Sequence, residues 1–112
     1  MDNLEIIVTA DGSHTLRNKA LDETYHSIHG AVRESMHVFI RNGLEYYHKA
    51  HQVKEISVLE IGFGTGLNAL LSLAYSREHE ISIRYTTLEP FPLPQPVWAA
   101  LNYNAGERSD FE

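Results

Sequence analysis

The chain has 112 residues, 43% of them hydrophobic and 21% charged, which suits one globular domain or part of one. Fifteen acids against nine bases leave a formal charge of −6, which argues against strong non-specific nucleic-acid binding by the chain as a whole. An RNA substrate held by a local basic face stays open, whereas the absence of cysteine excludes disulfides, thiolate metal sites and cysteine nucleophiles.

Met1-Asp2-Asn3-Leu4-Glu5 lacks the basic start and apolar stretch of a signal peptide. The longest apolar-rich run, Leu67 to Tyr75, is too short to span a bilayer. The expectation is a cytoplasmic protein with no membrane partner. Glu5-Ile6-Ile7-Val8-Thr9 then predicts a strand, Asp11-Gly12 a hairpin turn, and His14-Thr15-Leu16-Arg17-Asn18 the returning strand. This hairpin reads as a small appendage on one flank.

Asn18 to Gly30 is polar and irregular, as a loop is. Asp22, His26 and His29 are conceivable metal ligands, but two histidines and a carboxylate on a loop lack the fixed spacing a metal site needs. Solvated or hydrogen-bonding roles suit them better, and no metal is expected. Tyr25 and Ser27 are candidates for lining a substrate pocket.

From Ala31 the periodicity becomes helical, with Val32, Met36, Phe39 and Ile40 on one face. Asn42-Gly43 reads as a break or helix end. A second helical stretch with Leu44, Tyr47 and His51 follows, closing near Gln52. His48 and His51 have a helical spacing but no partner acid, so an exposed face is the better reading. Tyr46-Tyr47 suits packing better than a base-stacking platform.

Ile56 to Ile61 is nearly continuous in apolar character and predicts a strand buried on both faces. Three glycines at every second position follow, then a helix from Leu67 to about Arg77 with Leu67, Leu70, Leu71 and Ala74 inward. Ile81 to Leu88 alternates as a second strand and ends at Glu89. Strand, helix and strand of these lengths form a βαβ unit with parallel strands and a right-handed crossover. Pro90, Pro92, Pro94 and Pro96 then enforce a loop, and Pro96 can open a helix bearing Val97, Ala100 and Leu101 that ends at Ala105-Gly106. Glu107 to Glu112 reads as a frayed tail.

The glycine loop admits two cofactors. A dinucleotide fingerprint places its last glycine three residues after the second. Here the run is Glu60-x-Gly62-x-Gly64-x-Gly66, with spacing of two and an acid ahead of the first glycine. That pattern resembles the loop of S-adenosylmethionine-dependent methyltransferases, whose cofactor has no pyrophosphate but carries an ammonium that an acid can serve, directly or through water. Glu89, at the end of the second strand, is placed to accept the ribose hydroxyls of an adenosine.

A narrower resemblance follows. Glu60-Ile61-Gly62-Phe63-Gly64-Thr65-Gly66-Leu67-Asn68, Glu89-Pro90-Phe91-Pro92-Leu93 and the upstream run Tyr25-His26-Ser27 with Gly30 to Ile40 look like the MnmC-like methyltransferase domain. The resemblance covers about Tyr25 to Leu101. It implies an α/β, Rossmann-like S-adenosylmethionine methyltransferase fold. Residues 1–30 would form the hairpin and substrate-side loop, and residues 31–112 the N-terminal half of the methyltransferase domain. It also implies S-adenosyl-L-methionine as cofactor, bound by Glu60, Gly62, Phe63, Gly64, Thr65, Gly66, Asn68 and Glu89.

In that family a methyl passes to the aminomethyl group of a modified wobble uridine in tRNA. A flavin-dependent oxidoreductase, fused or separate, prepares the amine. The family's acid for the amine protons follows the fourth strand. Asp110 and Glu112 do not sit in a matching motif, so the catalytic residues stay unassigned. With two core strands placed, the expectation is an incomplete sheet that self-associates or needs a second half. A methyltransferase of the same fold acting on a small molecule, a dinucleotide-dependent oxidoreductase and a non-catalytic binding module are the alternatives.

Overall fold

The computed structural model describes residues 3–103. Alternating apolar residues near the start pair as expected: β1 (Leu4–Val8) runs antiparallel to β2 (His14–Asn18), with Ile6 opposite Leu16 and Val8 opposite His14. A two-residue strand, β3 (Glu23–Thr24), pairs with the other edge of β2, inside the stretch that reads as loop. β2 is no mere appendage strand. Leu16 is fully buried with Ala31, Leu67, Leu70, Leu101 and Tyr103, and Thr15 is buried beside it.

The turn between β1 and β2 also closes the next helix. The first N–H groups of any helix lack intrahelical partners. In α1 (Ala31–Ser35) those of Ala31, Val32 and Arg33 donate to Thr9 Oγ1, Ser13 Oγ and Asp11 Oδ2 respectively, at 2.9–3.1 Å. Asp11 Oδ1 accepts in addition from the Thr9 hydroxyl and from both the backbone and hydroxyl of Ser13. Burial works to raise the Asp11 carboxyl, but the hydrogen bonds from Ser13, Arg33 and Thr9 prevail and hold it well below the usual carboxylate range.

α1 runs without a break through a π-helical segment, Met36–Glu45, into α2 (Tyr46–His51). Asn42-Gly43 therefore does not end the helix. Ile40 and Leu44, on either side of it, are both buried, and burying two such side chains contributes about 3–6 kcal/mol, more than the roughly 1 kcal/mol an interior glycine costs. The helix ends where Gln52 turns left-handed, as the sequence predicts. Around α2 the faces differ from expectation. Tyr46 points outward at 72% exposure, and His48 turns inward, its Nδ1 2.8 Å from the Tyr75 hydroxyl. The Leu44 side of the helix takes the core, and Tyr46 lies outside it.

β4 (Glu55–Ile61) and β5 (Ser82–Leu88) are parallel, in register from Glu55 opposite Ser82 to Ile61 opposite Leu88. Between them lies α3 (Leu67–His79), so the predicted βαβ unit is present. Among the described residues only one face of this sheet is covered. Ile56, Val58 and Ile83 pack with Ile40, Leu44, Tyr75 and Ile81, whereas Leu59 and Ile61 are 65% and 73% exposed. The double-sided burial read from the apolar run is thus corrected: among the described residues nothing lies over the second face. α3 is buried more broadly than predicted, because Leu67 and Leu70 enter the core around Leu16 while Tyr75 enters the core around Ile40, with Leu71 against both.

α4 (Gln95–Ala99) has Pro96 in its first turn, as expected, but it stops well before Ala105. The chain bends there because Leu101 and Tyr103 bury against β2 and Asn102 bonds reciprocally with His14. Asn102 Oδ1 accepts the His14 N–H at 2.8 Å, and His14 Nδ1 accepts the Asn102 N–H at 3.0 Å. The expected helix end at Ala105-Gly106, the tail to Glu112 and the two acids in it, Asp110 and Glu112, lie outside the described residues. No helix among the described residues is long and apolar enough to cross a membrane.

Candidate cofactor site

At the carboxyl ends of β4 and β5 the backbone has to turn sharply into α3, and the glycines allow it. Gly62 sits at φ +87° and donates its N–H to the Leu88 carbonyl at 2.7 Å, which extends the strand pairing by one residue. No atom lies within 4 Å of where its Cβ would be, so the backbone there faces open space. Gly64, at φ +57°, is different: a Cβ would meet the Tyr25 ring at 3.3 Å. Both positions are ones an L side chain adopts only at a cost. Gly66 then precedes α3, whose first N–H groups have no side-chain cap among the described residues and make a favourable end for a negatively charged group.

Glu89 ties this loop to the next. Its Oε1 accepts the Gly64 N–H at 2.8 Å and its Oε2 the Phe91 N–H at 3.1 Å. Each oxygen keeps a lone pair for a further donor. Tyr25, held by its own N–H on the Leu16 carbonyl, leans over Gly64 from the small antiparallel sheet. Burial raises its hydroxyl pKa, and the Glu89 charge adds to that.

Glu60 lies beneath the loop, 7% exposed, on the covered face of β4. Its Oε2 accepts from Asn68 Nδ2 at 3.3 Å and its Oε1 from the Thr87 hydroxyl at 3.2 Å. The Tyr85 hydroxyl is beside it, held protonated well above the usual phenol range by burial and then by the Glu60 charge. Asn68 stands between Glu60 and the open space, and its Oδ1 is buried with no hydrogen-bond partner among the described residues. A buried acceptor without a donor is costly, so this atom suits a ligand that brings one.

The loop, Tyr25 and the start of the π-helical segment enclose a cavity of about 400 Å³. Of the residues the sequence marks for cofactor binding, Gly62, Phe63, Gly64, Thr65 and Asn68 line it. Glu60 and Glu89 reach it through Asn68 and Gly64, and Gly66 supplies the start of α3. Thr65 is buried, with the Tyr103 hydroxyl 3.2 Å from its Oγ1. Tyr25 lies in this cavity, while Ser27 does not: its hydroxyl accepts the His29 N–H and faces a neighbouring groove.

His26, Glu34, Val38 and Phe39 also line the cavity and were not marked. His26 is the one with a signal in the sequence, as a polar residue beside Tyr25. Its Nδ1 lies 2.9 Å from the buried Thr15 hydroxyl, and burial lowers its pKa against the opposing charge of Glu34. Asp22 goes instead to Arg17, at 2.6 Å. Among the described residues no group of three or more His, Cys, Asp or Glu is arranged to hold a metal ion.

The comparisons with known proteins point one way. No family model matches the chain. It is 33% identical over 97 residues, 80% of its length, to the tRNA 5-methylaminomethyl-2-thiouridine biosynthesis bifunctional protein MnmC of Pseudoalteromonas atlantica. It is 38% identical over 65 residues, 57% of its length, to the protein of that name from Burkholderia multivorans. The chain spans only 14% and 10% of the lengths of these two relatives. The crystal structure of MnmC2 from Aquifex aeolicus superposes with a TM-score of 0.78 at 34% identity, over 96% of this chain and 36% of that one. Sequence and fold agree along nearly all of the chain, which is an MnmC-like domain.

Proposed function

We propose that this chain is the cofactor-binding part of an S-adenosylmethionine-dependent methyltransferase with a Rossmann-like fold, acting on the aminomethyl group of a modified wobble uridine in tRNA. The observation that carries the reading is the coupling of Glu89 to Gly64 at the ends of two parallel strands, beside a cavity lined by the glycine loop. Ligands of open α/β sheets bind at that end of the strands. The relatives named for 5-methylaminomethyl-2-thiouridine biosynthesis in tRNA supply the substrate class.

The residues present suit the cofactor. Glu89 offers two carboxylate oxygens to ribose hydroxyls, and the unpartnered Asn68 Oδ1, backed by Glu60, offers an acceptor to an ammonium. Gly62 leaves room for a ligand against the backbone, and Phe63 and Phe39 give the cavity apolar walls. When bound, S-adenosylmethionine supplies an electrophilic methyl group, so the protein's contribution is chiefly positioning. Tyr25 and His26 would orient the incoming amine at the cavity wall, and no residue of the chain is assigned as catalytic acid or base. A cytoplasmic location and a flavin-dependent oxidoreductase, fused or separate, as supplier of the amine belong to the same reading.

Calorimetric titration separates this from the dinucleotide alternative. S-adenosylhomocysteine should bind and NAD should not. Binding of NAD with no response to S-adenosylhomocysteine would refute the proposal.

A further inference from the structure

A second concave surface adjoins the cofactor cavity, and its chemistry is different. It is a groove of about 450 Å³ whose walls include Ser27, His29, Arg33, Glu34, His37 and Arg41. Arg33, His37 and Arg41 follow one another at intervals of four along α1 and the π-helical segment. In an α-helix, at about 3.6 residues per turn, such a row drifts steadily around the axis. The wider π turns, with bonds from i to i+5, reduce that drift. The three side chains therefore stay on one exposed side.

Their charge is unspent. In a chain with fifteen acids and nine bases, most arginines would be expected to find carboxylates, and Arg17 indeed holds both Glu5 and Asp22. Arg33 and Arg41 make no ion pair among the described residues. Glu34, the single carboxylate among the described residues that line the groove, accepts the Ser27 N–H and also lines the cofactor cavity, so it stands on the boundary between the two spaces. His29 and His37 add imidazole hydrogen-bond donors along the same wall. Eight residues of helix separate the arginines by roughly 10–12 Å, room for more than one phosphate of a nucleic-acid strand.

We infer that this groove holds the phosphodiester backbone of the RNA substrate, with Arg33 and Arg41 each contacting a phosphate. The inference rests on the methyltransferase reading above and adds to it the surface along which the RNA lies. The groove would steer an RNA strand to the mouth of the cofactor cavity against the negative charge of the rest of the molecule. Glu34 would then keep phosphate out of the cavity while a base enters.

The test is fluorescence anisotropy of the chain with a fluorescein-labelled RNA hairpin bearing an anticodon-like loop, between about 50 and 200 mM salt. The double variant Arg33→Gln/Arg41→Gln should bind about tenfold more weakly and lower the slope of log K against log salt by about 1.4, near 0.7 for each lost phosphate contact. Arg33→Lys/Arg41→Lys should restore most of both. Arg84→Gln, which removes a charge from the outer face of β5, should change neither appreciably. Unaltered binding by the double variant, a loss as large in Arg84→Gln, or no RNA binding by the parent chain would each overturn the inference. Titration of the same proteins with S-adenosylhomocysteine keeps the two proposals apart: loss of that binding in the parent chain refutes the methyltransferase reading, whereas its persistence with unchanged RNA binding in the double variant refutes only the groove.

Discussion

Replacing Asp11 by alanine tests whether the hairpin turn holds the helix beside the site. The carboxylate accepts the Arg33 N–H at 2.9 Å on one oxygen and the Thr9 and Ser13 donors on the other. Loss of a helix cap costs about 1 kcal/mol, and loss of the local turn bonds, exposed to water, about 0.5–1 kcal/mol more. A total near 2 kcal/mol corresponds to a fall of about 10 °C in Tm for a chain of this size. The effect should depend on pH with a definite sign. Because the folded-state pKa of Asp11 lies below its ordinary 3.8, the wild-type advantage is fully present above that value and shrinks as pH falls below it toward the folded-state pKa. Urea unfolding followed by circular dichroism, at about pH 7 and about pH 3, measures both quantities. Equal stability of the two proteins at neutral pH, or a difference unchanged in acid, would show that the turn does not hold the helix in the way described.

Two further substitutions address the cofactor site. Glu89→Ala removes the acceptor for the Gly64 and Phe91 N–H groups and the proposed partner of the ribose, so adenosine affinity should fall about tenfold or more in calorimetry; an unchanged dissociation constant rejects that role. Gly64→Ala forces a side chain into the left-handed region and against Tyr25, with an expected loss of about 1 kcal/mol in stability and weaker S-adenosylhomocysteine binding. Adding Tyr25→Ala should recover the steric part of that loss only, and if it recovers nothing, the ring is not what opposes the new methyl group.

The sequence carries the local features of this fold well and the distant ones poorly. Asp11-Gly12 announces a hairpin turn because its signature is contained in adjacent residues. That Asp11 also caps α1 depends on a residue 22 positions away, and no local pattern encodes it. Gly43 misleads for a related reason. A glycine ends a helix when it takes a left-handed conformation, and Gly43 does not, because Ile40 and Leu44 draw both sides into the core. Leu59 and Ile61 mark β4 as a strand correctly, yet which of its faces is covered depends on what packs there. That the glycine loop turns sharply between β4 and α3 was legible because its three glycines lie at alternate positions, and Glu89 was legible as the residue that follows β5. Glu34, Val38 and Phe39 were not, since they arrive at the cavity from α1 and the π-helical segment by folding alone. The groove of Arg33, His37 and Arg41 was hidden in the same way: its sequence shows charges on a helix, and only the structure shows that two of them form no ion pair among the described residues.

The reciprocal bonds between His14 and Asn102 join residues 88 positions apart. Closing a flexible loop of that length costs about 4 kcal/mol in chain entropy, before any fixed term. Two hydrogen bonds at an exposed position do not offset this unaided. The clasp is therefore expected to form late, after β4, α3 and β5 have shortened the path between its ends, and to be among the first contacts to open. Amide exchange at His14 and Asn102 would then report a partial opening below the global unfolding free energy, in which Leu101 and Tyr103 leave Leu16 while the parallel strands stay paired.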